Sequence, residues 1–337
     1  MTALVRSASL TYFAEVAAQY GLDPRALLTE AGLPPRCLDD PDLKIAVNGV
    51  FRLLETAAER AHEPAFGLRM AESRRLSNLG PLGLLVRDEP TLRSALEALV
   101  HHMHVHNEAL ALHVEQSSNL MVIRQEFVAG GGEPLRQAHE LALAVAFRVI
   151  GIFMGAGWRP RLVCFAHKAP PSLAVHHRIF GNAVEFGHEF TGIVCNVADL
   201  DAPNPGADPV MARYAQRLLS QKPGAHLRLS DSVLQLVVVL LPRGLCRVEV
   251  VAQHLGVDRR TVARRLADEG TSFSELVNDL RRDLFERYLA DGSRSLTELS
   301  ALLGFSAPSA FSRWHRQRFG LSARQRKSKR AAIAGRN

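Results

Sequence analysis

The stretch VEVVAQHLGVDRRTVARRLADEG, Val248 to Gly270, reads as a helix, a tight turn and a second helix. Val251, Ala252 and Leu255 form one apolar face, Gly256 supplies a permissive backbone at the turn, and Asp258 is a good N-cap for the second helix. In that second helix Val262 and Leu266 lie four apart and point inward, which turns Arg260, Ala263, Arg264 and Ala267 outward together. A small and cationic face suits the major groove of DNA, where arginine grips phosphate or takes guanine through two hydrogen bonds. A solvated charged helix has the same spacing, so one copy of the pattern does not decide between the two.

The pattern occurs again. SLTELSALLGFSAPSAFSRWHRQRFG, Ser295 to Gly320, carries Leu296, Leu299, Leu302 and Leu303 as a helical stripe, Gly304 at the turn, and a second helix turning Phe311, Trp314 or His315, and Phe319 toward a core. Between the copies, SFSELVNDLRRDLFERYLADG is apolar at positions 273, 276, 277, 280, 284 and 288, the spacing of one amphipathic helix of about five turns. Ser272 with Glu275, and Ser295 with Glu298, have the spacing of capping boxes. Two recognition helices on a stiff spacer can read successive major-groove faces about 34 Å apart, and the repetition favours DNA over a merely solvated face.

Charge follows the same division. From His226 onward there are 20 Lys and Arg against 11 Asp and Glu, whereas residues 1–225 hold 21 against 23, so the whole net charge of +7 belongs to the last third, where a polyanion would bind. At 337 residues the chain is too long for one small core, which predicts two domains. No apolar run is read as long enough to span a bilayer; the greasiest, LQLVVVLLP, ends at Pro242. The N-terminus has Glu15 and no sustained apolar core, a poor secretion signal, so the expected location is the cytoplasm. Cys37, Cys164, Cys195 and Cys246 show no metal-ligand spacing and are expected as reduced thiols.

The duplicated unit, with its RRTVARRLADEGTSF and LSALLGFSAPSAFSRWHRQRFG segments, resembles the DNA-binding domain of the AraC/XylS family of bacterial transcription regulators. The family's closing pattern is G-F-x-x-x-S-x-F-x-R-x-F-K-x-x-x-G-x-[ST]-P-x-x-Y-R, which Gly304, Phe305, Ser309, Phe311, Arg313, Gly320 and Ser322 match. His315-Arg316, Ala323 and Arg326-Lys327 depart from it, the last two in the final short helix. The resemblance implies a DNA-contacting set of Arg259, Arg260, Thr261, Ala263 and Arg264 in the first unit and Pro308, Ser309, Ser312, Arg313 and Arg316 in the second. Pro308 has no N–H to donate, so the first unit should contribute more of the affinity. The basic run Arg324 to Arg330 is either a further set of phosphate contacts or a solvated end.

The first two thirds read as α+β. Residues 11–34 form a helix, a Gly21 turn and a second helix opened by Asp23-Pro24; the shape is that of a helix-turn-helix, but Arg25 is the lone cation on its second helix, too few for phosphate neutralisation. Helices are predicted over 44–61 and 91–106, a hairpin over Ala109 to Phe127 turning at Ser117-Ser118-Asn119, a long helix from Pro134 to Ala156, a strand at RLVCFAH, a helix at SLAVHHRIFG and a strand at GIVCNV. FGLRMAESRRLSNLGPLGLLV and VCFAHKAPPSLAVHHRIFGNAVEF are similar to the arabinose-binding and dimerisation domain carried by some AraC-type regulators, a label that does not fix the ligand. The implied organisation is an effector-binding and dimerisation domain over 1–205, a connector over 206–225 with a helix from Val210, a DNA-binding domain over 226–330 and a tail over 331–337. Double-stranded operator DNA, a small-molecule effector, a second copy of the chain and, for an activator, RNA polymerase are the implied partners, with no membrane.

His102 and His106 lie four apart in HHMHVHN and could chelate a metal, but no ligand set is completed around them and a packed or solvated helix end accounts for them. No metal or cofactor is expected, and His139 and His167 are the candidate effector residues. Neither a nucleophile elbow nor a phosphate-binding loop is present, and Gly130–Gly132 lack dinucleotide spacing, so no enzyme is expected. Two alternatives stay open: a constitutive DNA binder with a non-sensing first domain, and an AraC-like domain fused to a cysteine-based DNA alkyltransferase.

Overall fold

A computed structural model describes residues 3–128, 135–155, 157–221, 228–255, 257–291 and 294–327. The chain divides into two compact units between residues 227 and 228. Gly256, Gly130–Gly132, residues 222–225 of the expected connector, residues 328–330 of the basic run and the tail 331–337 lie outside the described residues.

The first unit runs β1 (Leu4–Arg6), α1 (Phe13–Gln19), α2 (Pro24–Glu30), β2 (Lys44–Ala46), α3 (Val47–Arg60), α4 (Phe66–Glu72), α5 (Pro81–Arg87), α6 (Leu92–His106), β3 (Leu110–Ser117), β4 (Leu120–Phe127), α7 (Arg136–Met154), β5 (Leu162–Phe165), α8 (Ala174–Phe180), β6 (Val184–Phe186), β7 (Thr191–Asn196) and α9 (Pro209–Gln221). As expected, α2 starts with Asp23 accepting from the amides of Arg25 and Ala26 and with Pro24 in its first turn. The hairpin closes one residue tighter than the sequence suggests: Ser117 pairs with Leu120, leaving Ser118-Asn119 as the turn, with Ser118 at a φ of +52°.

Five strands form one sheet in the order β3-β4-β7-β5-β6, antiparallel except for β5 beside β6. Along β4, Met121, Ile123, Gln125 and Phe127 alternate toward the buried face, and α7 packs on β4 and β7. Contrary to the expectation that no apolar run is long enough, α7 could cross a membrane by length and composition; in this fold it is a core helix, burying Leu141, Leu143, Ala144, Val149 and Ile150. Strand β6 and the pairing of β1 with β2 are not foreseen from sequence, and β2 with α3 replaces the single helix predicted over 44–61. Helix α9, expected as part of a connector, packs on α5 and buries Ala215 and Leu219 within the first unit.

The second unit is all-helical: α10 (Leu229–Leu240), α11 (Val248–His254), α12 (Arg259–Asp268), α13 (Phe273–Asp291), α14 (Leu296–Leu302), α15 (Pro308–Phe319) and a short last turn over 323–327. The greasy stretch before Pro242 is the second half of α10, which packs against α11, α12 and α13 and buries Val233, Val237, Val238 and Leu240. Glu269, just past the end of α12, caps this helix: its carboxylate accepts from the amides of Leu229 (2.6 Å) and Ser230 (3.0 Å). Ser295 and Glu298 form the full predicted capping box, while at Ser272 the hydroxyl accepts from the Glu275 amide and donates to the Glu275 carboxylate.

Gly304 is fixed by two constraints. Its φ is +70°, and a Cβ there would come within 2.3 Å of the Leu241 carbonyl oxygen, so the turn of the second helix-turn-helix presses directly on the backbone that follows α10. Gly304→Ala should therefore destabilise the second unit by about 2–5 kcal/mol, summing left-handed strain and overpacking. Calorimetry should show this unit's transition lowered and that of the first unit unchanged.

Candidate nucleic-acid interface and effector cavity

In the first helix-turn-helix, Val251, Ala252, Val262 and Leu266 are buried, so α12 is held by one face and presents the other. Arg259, Arg260, Ala263, Arg264 and Ala267 are exposed on it. Two members of the expected contact set already have local work. Arg259 pairs with Glu249 at 3.1 Å, and Thr261 is tied through its amide (2.8 Å) and hydroxyl (2.9 Å) to the N-cap Asp258. Arg260 and Arg264 form no ion pair among the described residues, which leaves two solvated guanidinium groups with Ala263 between them.

On α15, Pro308, Ser309, Ser312, Arg313 and Arg316 are exposed and Pro308 opens the helix. Phe311 and His315 turn inward onto Phe285 of α13, with ring centroids 5.9 and 4.8 Å away. His315 thus fills the place of the family's aromatic residue. Its Nδ1–H donates to the Leu321 carbonyl at 2.8 Å, and burial lowers its pKa, so it packs as a neutral ring. Trp314 is half-buried and donates to Asn278 at 3.1 Å. The departures at the end of the motif are absorbed as well: Ala323 is buried, and Arg326 lies over the Phe319 ring at 4.2 Å while pairing with Glu286. Arg281, whose Nε donates to the Leu303 carbonyl at 2.9 Å, ties α13 to the second turn.

The first unit contains a cavity of about 80 Å³ walled by α3, α6, α7, β3 and β4, mostly by Leu, Val, Ala, Phe and Met side chains. Its polar lining is short: Ser9, Arg74, His106 and Asn107. Strand β1 draws these together, because the Leu4 amide donates to Glu108 at 2.9 Å and the Glu108 amide donates back to the Leu4 carbonyl. Arg6 pairs with Asp42 at 2.8 Å and donates to His106 Nδ1 at 3.4 Å, which places the imidazole proton on Nε2. Burial, then the nearby Arg6 and Arg74, push the His106 pKa down to about 3, and the ring is neutral.

The histidines read from sequence lie apart from this cavity or have other duties. His139 packs against Phe127 and lies 3.9 Å from Glu126, and His167 lies 3.5 Å from Glu140; neither lines the cavity. His102 bonds Gln216 of α9 at 3.1 Å while His106 faces Arg6, so the two are committed separately. Among the described residues no group of three His, Cys, Asp or Glu could hold a metal. Burial raises all four thiols, Cys164 and Cys195 to about 12 and Cys246 to about 11, the reverse of what an alkyl-accepting thiolate needs. Sequence reasoning missed Ser9 and Arg74: Ser9 stands in no motif, and Arg74, though inside the family-like stretch Phe66–Val86, is marked there by nothing that tells a buried arginine from its neighbour Arg75.

A mixed α/β unit enclosing a cavity, followed by a helical unit presenting two helix-turn-helix faces, is the build of a DNA-binding transcription regulator with an appended second function. Residues 21–204 match the family described as the N-terminal arabinose-binding domain of AraC transcription regulators, and residues 251–328 match a helix-turn-helix domain family. The chain belongs to the AraC family of DNA-binding transcription regulators, which are not enzymes. It is 33% identical over 325 residues, 96% of both chains, to the HTH-type transcriptional regulator VirS of Mycobacterium tuberculosis. It is 26% identical over 314 residues, 90% of both chains, to the ornithine utilization regulator of Pseudomonas aeruginosa. The crystal structure of the transcriptional regulator CdpR from Pseudomonas aeruginosa aligns over 90% of this chain and 96% of that one, with 21% identity and a TM-score of 0.44.

Two outcomes are expected. Alkylation by iodoacetamide at pH 8, read by mass spectrometry, should leave Cys164 and Cys195 unmodified in the native chain and modify both once it is unfolded. For Glu269, burial opposes ionisation, but hydrogen bonds from Ser230 and Leu229 prevail and hold its carboxyl below the ordinary value. Glu269→Ala should cost about 0.5–2 kcal/mol at pH 7, as loss of a helix cap does. Because the folded pKa is depressed, that difference should shrink as pH falls below about 4, in urea titrations at several pH values.

Proposed function

We propose that the protein is an effector-controlled regulator acting in the cytoplasm. Its first unit binds a small molecule and dimerises, and its second reads an operator of two half-sites through Arg260, Ala263 and Arg264 on α12 and Ser309, Ser312, Arg313 and Arg316 on α15. The observation that carries the DNA assignment is the solvated pair Arg260 and Arg264 flanking Ala263, held outward by the buried Val262 and Leu266. Arg259 and Thr261, engaged by Glu249 and Asp258, act mainly by holding the start of α12 in shape, and Pro308 starts α15 without donating. The sensing assignment rests on the cavity of the first unit together with the match to the arabinose-binding-type domain. An effector regulates only through unequal affinity for two arrangements of the protein on DNA, so the ligand must bind one more tightly. RNA polymerase is the further partner if the protein activates.

Sequencing the genomic fragments captured by the purified protein should yield a paired half-site, and the captured operator then serves as the probe. Arg264→Ala should weaken operator binding by about 1–3 kcal/mol and relax preference at one base pair. Arg260→Gln should weaken all sequences alike and lower the salt dependence by about one counterion. Wild-type affinity in both variants would remove α12 from the groove.

A further inference from the structure

Arg74 is 5% exposed, lines the cavity and has no carboxylate partner among the described residues. Its Nη2 donates to the Ser9 carbonyl, which fixes the guanidinium in place, while its Nε is buried with no hydrogen-bond partner. Ser9 Oγ, also in the lining, is buried and equally unpartnered. Asp42 pairs with Arg6 and Glu108 with Lys44 at 3.3 Å, and no carboxylate among the described residues acts on Arg74. Desolvation drags the Arg74 pKa down to about 10, still far above neutrality, so the group remains a cation. The neutral His106, protonated on Nε2, adds a third donor and no acceptor to offset the charge. A buried cation with unfilled donors is costly unless something pairs with it, and the protein itself supplies nothing among the described residues that does.

The remaining walls decide the rest of the ligand. Phe51, Leu99, Met103, Leu141, Val145 and Val149 offer no hydrogen bonds, so the hydroxyls of a neutral sugar would be stranded against them. The volume of about 80 Å³ admits only a compact body. We infer that the effector of this protein is a small organic monocarboxylate, its carboxylate seated on Arg74, Ser9 and His106 and its hydrocarbon body against the apolar walls. This rests on the sensing role of the first unit proposed above. A planar carboxylate accepts two parallel bonds from a guanidinium and has spare lone pairs for the hydroxyl and the imidazole N–H, so it satisfies the open donors of Arg74 and Ser9 at once.

The test is calorimetric titration of the full chain with propanoate, butanoate and pentanoate, against the matching alcohols, arabinose and inorganic phosphate. At least one carboxylate is expected to bind and its alcohol to bind about 10- to 100-fold more weakly, the span of a hydrogen-bonded charge. Arg74→Met should remove that difference while folding at least as stably as the wild type, because it deletes an uncompensated buried charge. Ser9→Ala, a milder change, should weaken the same carboxylate without altering the thermal midpoint, and it carries the test should Arg74→Met fail to fold. Alcohols binding as tightly as carboxylates, a carboxylate indifferent to both substitutions, or binding of arabinose or phosphate alone would overturn the carboxylate assignment. In those cases a bound ligand that alters operator affinity would still uphold sensing. Should no probe and no member of a chemically broad fragment set bind the first unit or change operator affinity, the sensing role and the carboxylate assignment fall together.

Discussion

Helix α13 is the constraint on which the DNA-facing half depends. It buries Val277, Leu280, Leu284, Phe285 and Leu289, and it meets α10, which packs on both helices of the first helix-turn-helix, and the aromatic side chains of the second. Phe285 alone touches Phe311, Trp314, His315 and Phe319. Once those rings are committed to α13, the opposite side of α15 has to face outward, and the same logic applied to Val262 and Leu266 turns the arginines of α12 to solvent. The chemistry of the outward faces is thus a by-product of which residues are buried. Gly304 against Leu241 and Arg281 against Leu303 lock the second helix-turn-helix to this frame through backbone atoms, which tolerate little displacement.

In the first unit the same economy of burial leaves one polar cluster inside an apolar shell. Arg6, Arg74 and His106 come from β1, from the segment after α4 and from the end of α6, and the short β1–β2 ribbon brings them within reach of one another. Arg6 has Asp42 and His106 is neutral, which leaves Arg74 as the uncompensated charge. Interiors rarely tolerate such a group without a partner, and it faces a space able to hold one. The cluster centred on Glu140 differs: there His176 at 3.1 Å and His167 at 3.5 Å bring their ring nitrogens to one carboxylate, and burial lowers the His167 pKa.

Much of this was legible in the chain, and the parts that were share a reason. Helix periods, capping boxes and turn glycines are local: Ser295 and Glu298 find each other across one helical turn whatever the rest of the fold does. The same holds for the hairpin of β3 and β4, whose alternation is visible over eight residues of each strand. Four elements escaped because they show no local period. The Val- and Leu-rich run in α10 has no polar face and hence no period, because it is packed by α11, α12 and α13. Strands β1, β2 and β6 are three residues each, too short to show alternation.

The sequence by itself determined the family, the repeated helix-turn-helix, and the outward direction of Arg260, Arg264, Ser309, Ser312 and Arg313, since each is written in motifs and apolar periods a few residues long. It also placed the positive charge in the last third, because charge can be counted without a fold. Only the tertiary structure decided that Arg259 is engaged by Glu249, that His102 and His106 part company, and that Arg74 and Ser9 meet in a cavity. Whether a charge is paired or stranded is a property of segments 65 residues apart, as Ser9 and Arg74 are, and no local period records it.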